Sequence, residues 1–368
     1  MPELFTSVRN ARDRFLRPET LNQADQTPFE VIDDDGLVQV RYYPPLAEEQ
    51  IEVDGETVPV ATEVRRTPLV IVPPLAVNML LYDLFPDRSL VKYLRAKGFE
   101  LYLIDWGRPG REHDDARMAT YFAEWLPRKL ETIREHAGTR RLSLHGWSFG
   151  ALFSYCYTAL ASDPDIANLV LVGSPCDYHR NGDLGKQYRR LARRVKLLRK
   201  YTGVNVRRMP KTPFRSPGWM NSLAFKLINP AGTARGYAEL IRNLADREFV
   251  RNHATNAAFL DDMVAYPGGV IQDIIHYLWV KNVLARGELP MRGAEAGLDR
   301  IRTPILEVIG RNDTIVTADC AGRLLEQVAS TDTRTLDVPG GHMGILGGSQ
   351  APASSWHEIA DWLIERDG

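Results

Sequence analysis

Gly146-Trp147-Ser148-Phe149-Gly150 sets one hydroxyl between two glycines, in a G-x-S-x-G pattern. The segment before it, Arg141-Leu-Ser-Leu-His145, reads as a short buried strand, and the segment after it as a helix. A strand-to-helix turn this sharp leaves no room for side chains on either side of the serine, which explains glycine at 146 and 150. Ser148 is then held strained and exposed at the carboxyl edge of a sheet. A serine hydroxyl is a poor nucleophile at neutral pH. It needs a base to take its proton and a carboxylate to orient that base. When the nucleophile sits on such an elbow, the acid and the histidine follow it in that order. Asp313, in Gly310-Arg-Asn-Asp-Thr-Ile-Val316, follows one late apolar run. His342, in Pro339-Gly-Gly-His-Met-Gly344, follows the next. Ser148, Asp313 and His342 are therefore the candidate catalytic residues.

Competing residues are less well placed. Asp105 also ends a strand-like run and rivals Asp313 for the acid role, but it precedes the serine. His145 adjoins the elbow and is expected to brace the strand end. His113, His136, His179, His253, His276 and His357 fall on helices or polar loops. A tetrahedral intermediate needs two backbone N–H donors. Phe149, after the nucleophile, is one candidate. The other comes from the loop after the apolar run 69–72, where Pro73 and Pro74 have no N–H, leaving Leu75 or Ala76. No H-x-x-x-H, C-x-x-C, Walker or G-x-G-x-x-G pattern occurs, so no metal or cofactor is expected.

These residues must be positioned by a sheet. The runs 69–72, 100–104, 141–145, 168–172, 303–310 and 334–338 are short and apolar, as strands covered on both faces require. Between several of them lie helical periods, notably Met118, Tyr121, Phe122, Trp125, Leu126, Leu130 and Ile133. Alternating strands and helices predict a mostly parallel sheet with helices on both faces. Two hairpins, turning at residues 34–36 and at Asp54-Gly55, are expected as antiparallel edge strands. Residues 1–30 are polar and aperiodic, with room for a short helix. From 177 to 290 the strand pattern stops. This stretch is expected to be an inserted, mostly helical cap, with 1–176 and 291–368 forming the core.

The chain has 368 residues and a net charge of −1, so nothing pulls it globally toward nucleic acid. Three cysteines, Cys156, Cys176 and Cys320, make no disulfide framework and suggest a reducing compartment. No signal-like or bilayer-length apolar run stands out, and a cytoplasmic location is expected. One local asymmetry is sharp: residues 180–215 hold 13 Lys or Arg against the single acid Asp183. It reads as a solvated amphipathic helix with Leu184, Tyr188, Leu191, Val195 and Leu198 inward, or as a site for an anion, an acidic partner or a lipid surface.

Several spaced segments together resemble polyhydroxyalkanoate synthases and the α/β-hydrolases grouped with them. They are Thr27-Pro-Phe-Glu-Val-Ile, Val40-Arg-Tyr-Tyr-Pro44, Val72-Pro-Pro-Leu-Ala-Val-Asn78, Asp83-Leu-Phe-Pro-Asp-Arg-Ser-Leu-Val91 and Asp105-Trp-Gly-Arg-Pro109. Ala224-Phe-Lys-Leu-Ile-Asn-Pro230 and Leu284-Ala-Arg-Gly-Glu-Leu289 continue the likeness, and Asp313 and His342 fall on that family's catalytic aspartate and histidine. The resemblance implies an α/β-hydrolase fold and an acyl-CoA substrate. The chain length implies a partner subunit or a homodimer. The synthases carry cysteine followed by two glycines in this box; here it is Ser148, and Ala151 follows Gly150.

That difference carries chemistry. A thiolate exchanges an acyl group with a thioester at little free-energy change, so a chain can be passed on repeatedly. A serine holds it as a more stable oxyester that water can release. The residues favour a serine hydrolase or acyltransferase acting on an ester or thioester through an acyl-Ser148 intermediate. Polyester synthesis from 3-hydroxyacyl-CoA is the first alternative. A non-catalytic scaffold or granule-binding role is the second.

Overall fold

A computed structural model describes residues 2–228 and 230–367. Eight strands form one sheet: β1 (Glu30–Asp34), β2 (Gln39–Tyr43), β3 (Leu69–Val72), β4 (Leu101–Asp105), β5 (Leu142–Trp147), β6 (Ile166–Val172), β7 (Ile305–Gly310) and β8 (Thr333–Val338). Their spatial order is β1-β2-β4-β3-β5-β6-β7-β8. β1 and β2 are the antiparallel edge, and every pairing from β4 to β8 is parallel. β3, β5 and β7 are buried along their whole length, as sheets covered on both faces require. On one face Tyr102, Ile104, Leu144 and Leu169 pack against Leu152 and Phe153. On the other, Ile71, Leu103, Val170 and Val308 pack against Trp356 and Trp362.

Helix α1 (Pro2–Leu16) lies apart, while α2 (Leu90–Ala96), α3 (Leu126–Ala137), α4 (Phe149–Ala161) and the closing His357–Ile364 occupy the two faces. Ser89 caps α2 through its hydroxyl, which accepts from the Lys92 N–H, and Gly138 ends α3 in the left-handed conformation that favours glycine. Between β6 and β7 the described residues add no strand to the sheet. It forms α5 (Gly182–Thr202), α6 (Gly218–Ile228), α7 (Pro230–Arg242) and α8 (Arg247–Asp261), then a helical turn Gly268–Asp273 that widens over Ile274–Val280.

Two details differ from expectation. The hairpin at Asp54 is not an edge of the main sheet; Gln50–Val53 and Glu56–Pro59 pair only with each other. Its Ile51 and Val53 pack into the apolar layer beside α2, which the local alternation could not reveal. The N-terminal stretch forms a 15-residue helix rather than a short one. α1 docks on α8: Arg247 pairs with Asp13 at 2.7 Å, and Arg14 Nε donates to His253 Nδ1 at 3.1 Å. These bonds join residues more than 200 positions apart, so no window of sequence contains them.

Candidate active site

β5 runs straight into the elbow. Ser148 has φ 55° and ψ −118°, a backbone region that side-chain-bearing residues avoid. Its N–H donates to Val172 O at 2.9 Å and its carbonyl accepts from Leu152 N at 3.1 Å, so neighbouring structure holds the strain. Both flanking glycines are sterically required. A Cβ on Gly146 would lie 2.5 Å from the Ala151 backbone, and one on Gly150 would collide with Val72 O. The second contact also sets the loop after β3 against the first turn of α4.

The loops after β7 and β8 meet at this point. Ser148 Oγ lies 2.9 Å from His342 Nε2, and His342 Nδ1 lies 2.7 Å from Asp313 Oδ2. The other Asp313 oxygen accepts the Ile315 and Val316 N–H groups, both at 2.8 Å. With the carboxylate acting only as acceptor, Nδ1 carries the proton and Nε2 is left to accept from the serine. The His342 and Asp313 side chains are almost entirely buried, whereas Ser148 is partly open. All three sequence-derived candidates are thus brought together, from three separate loops.

Three neighbours that sequence reasoning missed hold this geometry. Trp147 Nε1 donates to His342 O at 3.1 Å, and its indole lies 5.4 Å from the imidazole, centre to centre. Asn181, buried at the start of the excursion, donates to Ile315 O at 2.6 Å and accepts from Thr317 N at 2.9 Å, pinning the Asp313 loop. Asn78 Nδ2 reaches Asp262 O at 2.9 Å and Phe259 O at 3.3 Å. It ties the end of α8 to the loop carrying Leu75 and Ala76. Val264 N also donates to Ala76 O at 2.8 Å, and Ala76 sits at φ 67°. Phe149 opens α4, so its N–H is one of the helix-end donors without an intrahelical partner.

The rivals are engaged elsewhere. Asp105 accepts from Arg41 Nη2 at 2.7 Å and from Gly107 N at 3.0 Å. His113 accepts from Gly110 N, His136 pairs with Tyr102 Oη, and His179 with Trp279 O. His276 is pushed down to about 4 by burial and surrounding cations. His145 braces nothing by hydrogen bonding: it is fully buried with neither ring nitrogen partnered, and burial lowers it to about 4. Cys156 is the eighth residue of α4, about 10 Å along the helix from its start. All three cysteines are buried and burial raises their thiols, Cys320 to about 12.

Comparison with known proteins agrees with this architecture. The chain is 25% identical to the poly(3-hydroxyalkanoate) polymerase subunit PhaC of Haloferax mediterranei, over 99% of this chain and 69% of that one. It is 27% identical to PhaC of Allochromatium vinosum, over 96% of this chain and 93% of that one. A soluble variant of monoglyceride lipase from Saccharomyces cerevisiae superposes with a TM-score of 0.58 at 14% identity, over 94% and 96% of the two chains. The PhaC resemblance read from the sequence therefore extends over nearly the full chain. Residues 67–349 match the family described as the alpha/beta hydrolase fold, and with the strand order, the elbow on β5 and the loops after β7 and β8 in place, the chain belongs to that family.

Proposed function

We propose that this protein is a serine-dependent hydrolase or acyltransferase that cleaves an ester or thioester. The observation that carries the reading is the continuous pair of hydrogen bonds from Ser148 Oγ through His342 to Asp313. In the first step Nε2 of His342 takes the Ser148 proton as Oγ attacks the acyl carbonyl. The tetrahedral oxyanion is met by the Phe149 N–H and by a second donor, Leu75 or Ala76. His342, now protonated, hands its proton to the leaving alcohol or thiol, and acyl-Ser148 remains. Water or an acceptor hydroxyl, deprotonated by the same Nε2, then attacks the acyl carbon, and as the bond to Oγ breaks His342 returns the proton to Ser148. Asp313 stabilises the imidazolium and holds its tautomer throughout. In this reading residues 177–290 are a cap that shapes the acyl site.

Ser148→Ala is expected to lower esterase activity by about 10⁴-fold or more and to abolish labelling by a fluorophosphonate probe. Undiminished activity in this variant would overturn the reading. A second reading, polyester synthesis from 3-hydroxyacyl-CoA with a partner subunit, draws on the names of the relatives, which are polymerase subunits. Supplying 3-hydroxyacyl-CoA separates the two. Free hydroxyacid and CoA support hydrolysis, and polymer supports synthesis. A scaffold role without catalysis predicts neither product nor probe labelling.

A further inference from the structure

The basic stretch noticed in the sequence has no part in the chemistry above. In the fold most of it is α5 (Gly182–Thr202), while beyond the helix Arg207, Lys211 and Arg215 pair with Asp273, Asp115 and Asp114. The two halves of α5 differ. The first half is anchored: Tyr188 stacks on Trp279 at 5.1 Å between ring centres, and Ala192 is buried. In the second half, Leu197 is 57% exposed and Tyr201 is 74% exposed. A helix turns 100° per residue, so Arg190, Arg194, Leu197 and Tyr201 share one outward stripe, with Arg193 and Lys200 beside it. All six of these residues face solvent. Among the described residues no carboxylate pairs with any of the four cations. The one acid on the helix, Asp183, is taken by Lys186 at 2.7 Å near the opposite end. The unexplained feature is therefore an amphipathic array: unneutralised cations around two large apolar side chains, one helical turn apart, that face water.

We propose that the outward face of α5 docks on an anionic lipid bilayer surface. The charge complementarity comes from Arg190, Arg193, Arg194 and Lys200. Leu197 and Tyr201 distinguish the partner, because a DNA duplex held through its phosphates uses the cations and gains nothing from apolar side chains left in water. A helix lying in the headgroup plane uses both, burying the apolar pair while the guanidinium groups meet lipid phosphates. Among the described residues no helix is long and apolar enough to cross a membrane, and the contact proposed is a peripheral one.

The test is vesicle co-sedimentation of the full chain, with phosphatidylglycerol–phosphatidylcholine vesicles against phosphatidylcholine alone. Binding is expected only to the anionic vesicles, weakening as salt is raised. Arg193→Glu with Arg194→Glu and, separately, Leu197→Ser with Tyr201→Ser are each expected to reduce it by about tenfold or more. The helical circular dichroism signal and the melting transition should stay unchanged in both, because these four side chains are exposed on α5, so a loss of vesicle binding is not a loss of fold. No binding of the unaltered chain to anionic vesicles overturns the proposal. So does binding lost with the arginines but kept in the Leu197/Tyr201 variant, above all if that variant also keeps affinity for a DNA duplex, since that pattern means a polyanion site.

Discussion

The loops at the carboxyl end of the sheet and the excursion between β6 and β7 treat polar and apolar groups in opposite ways. Around Ser148 the acid and the base are buried and bonded: Asp313 accepts three hydrogen bonds, and Asn181 and Trp147 secure the loops that carry the acid and the base. In the excursion, apolar groups face water, including Trp219, Leu223 and Leu227 at every fourth residue along α6. The difference reflects what each region has to hold. Chemistry needs atoms fixed to fractions of an ångström, which takes buried, mutually bonded groups on strand ends. A surface that meets acyl chains, a partner or a bilayer needs apolar area and few directional bonds. Strain at Ser148 is affordable only because the core over-determines it.

The contrast can be broken from its rigid side first. Ser148→Ala, as stated above, is the largest expected effect and should leave the melting transition nearly unchanged. Glu307 comes next. It lies wholly buried on β7, bonded to Ser174 Oγ by both carboxyl oxygens at 2.9 Å, and burial raises it from 4.5 to about 8. Because the folded value is raised, its stabilising contribution is complete below about pH 4.5 and is lost as pH rises through about 8. Glu307→Gln should therefore gain on the parent protein across that window, by up to a few kcal/mol at about 1.4 kcal/mol per unit. Urea titrations at pH 5 and pH 8.5 measure it, and an equal difference at both would remove the argument.

Gly150→Ala forces a methyl against Val72 O. A cost of about 1–3 kcal/mol is expected, with a larger loss of activity because the loop bearing Leu75 and Ala76 is displaced. Full activity would show that the loop is more tolerant than the packing implies. Asn78→Ala cuts the bonds between that loop and the end of α8, for about 1–2 kcal/mol. It probes whether the excursion helps to hold the active site, and the sensitive readout is kcat at saturating ester. The smallest effect belongs to Arg108→Ala. Its ion pair with Asp262 bridges the same two regions, but both side chains are more than half exposed. A change under about 1 kcal/mol is expected. A larger effect would mean that surface charge, not buried hydrogen bonding, joins the two regions.

Much of the fold was legible because its signals are local. Sterics at Gly146 and Gly150 announce the elbow, and unbroken apolar runs announce strands covered on both faces. Chain order alone chose Asp313 over Asp105, and the Arg41 ion pair now shows what Asp105 does instead. The resemblance to PhaC was readable from scattered segments for the same reason, since each is a local pattern. What stayed hidden depends on partners far away in sequence. The period of residues 1–16 gave no hint that α1 docks on α8, because its anchors, Asp13 and Arg14, are polar and their partners lie more than 200 residues on. Likewise the Asp54 hairpin alternates as an edge strand would, and only packing sends it away from the main sheet.

The sequence by itself determined the residue types: a serine between obligatory glycines, an aspartate and a histidine after later strands, and a cluster of cations with one acid, Asp183, among them. Tertiary structure alone decided their distances and surroundings. It closed three loops, 29 and 194 residues apart from His342, into one hydrogen-bonded chain. It also buried Glu307 and His145 out of reach of water, and turned the outer half of α5 into solvent. Hydrogen bonding and burial depend on where the whole chain places its atoms, and no local pattern encodes that.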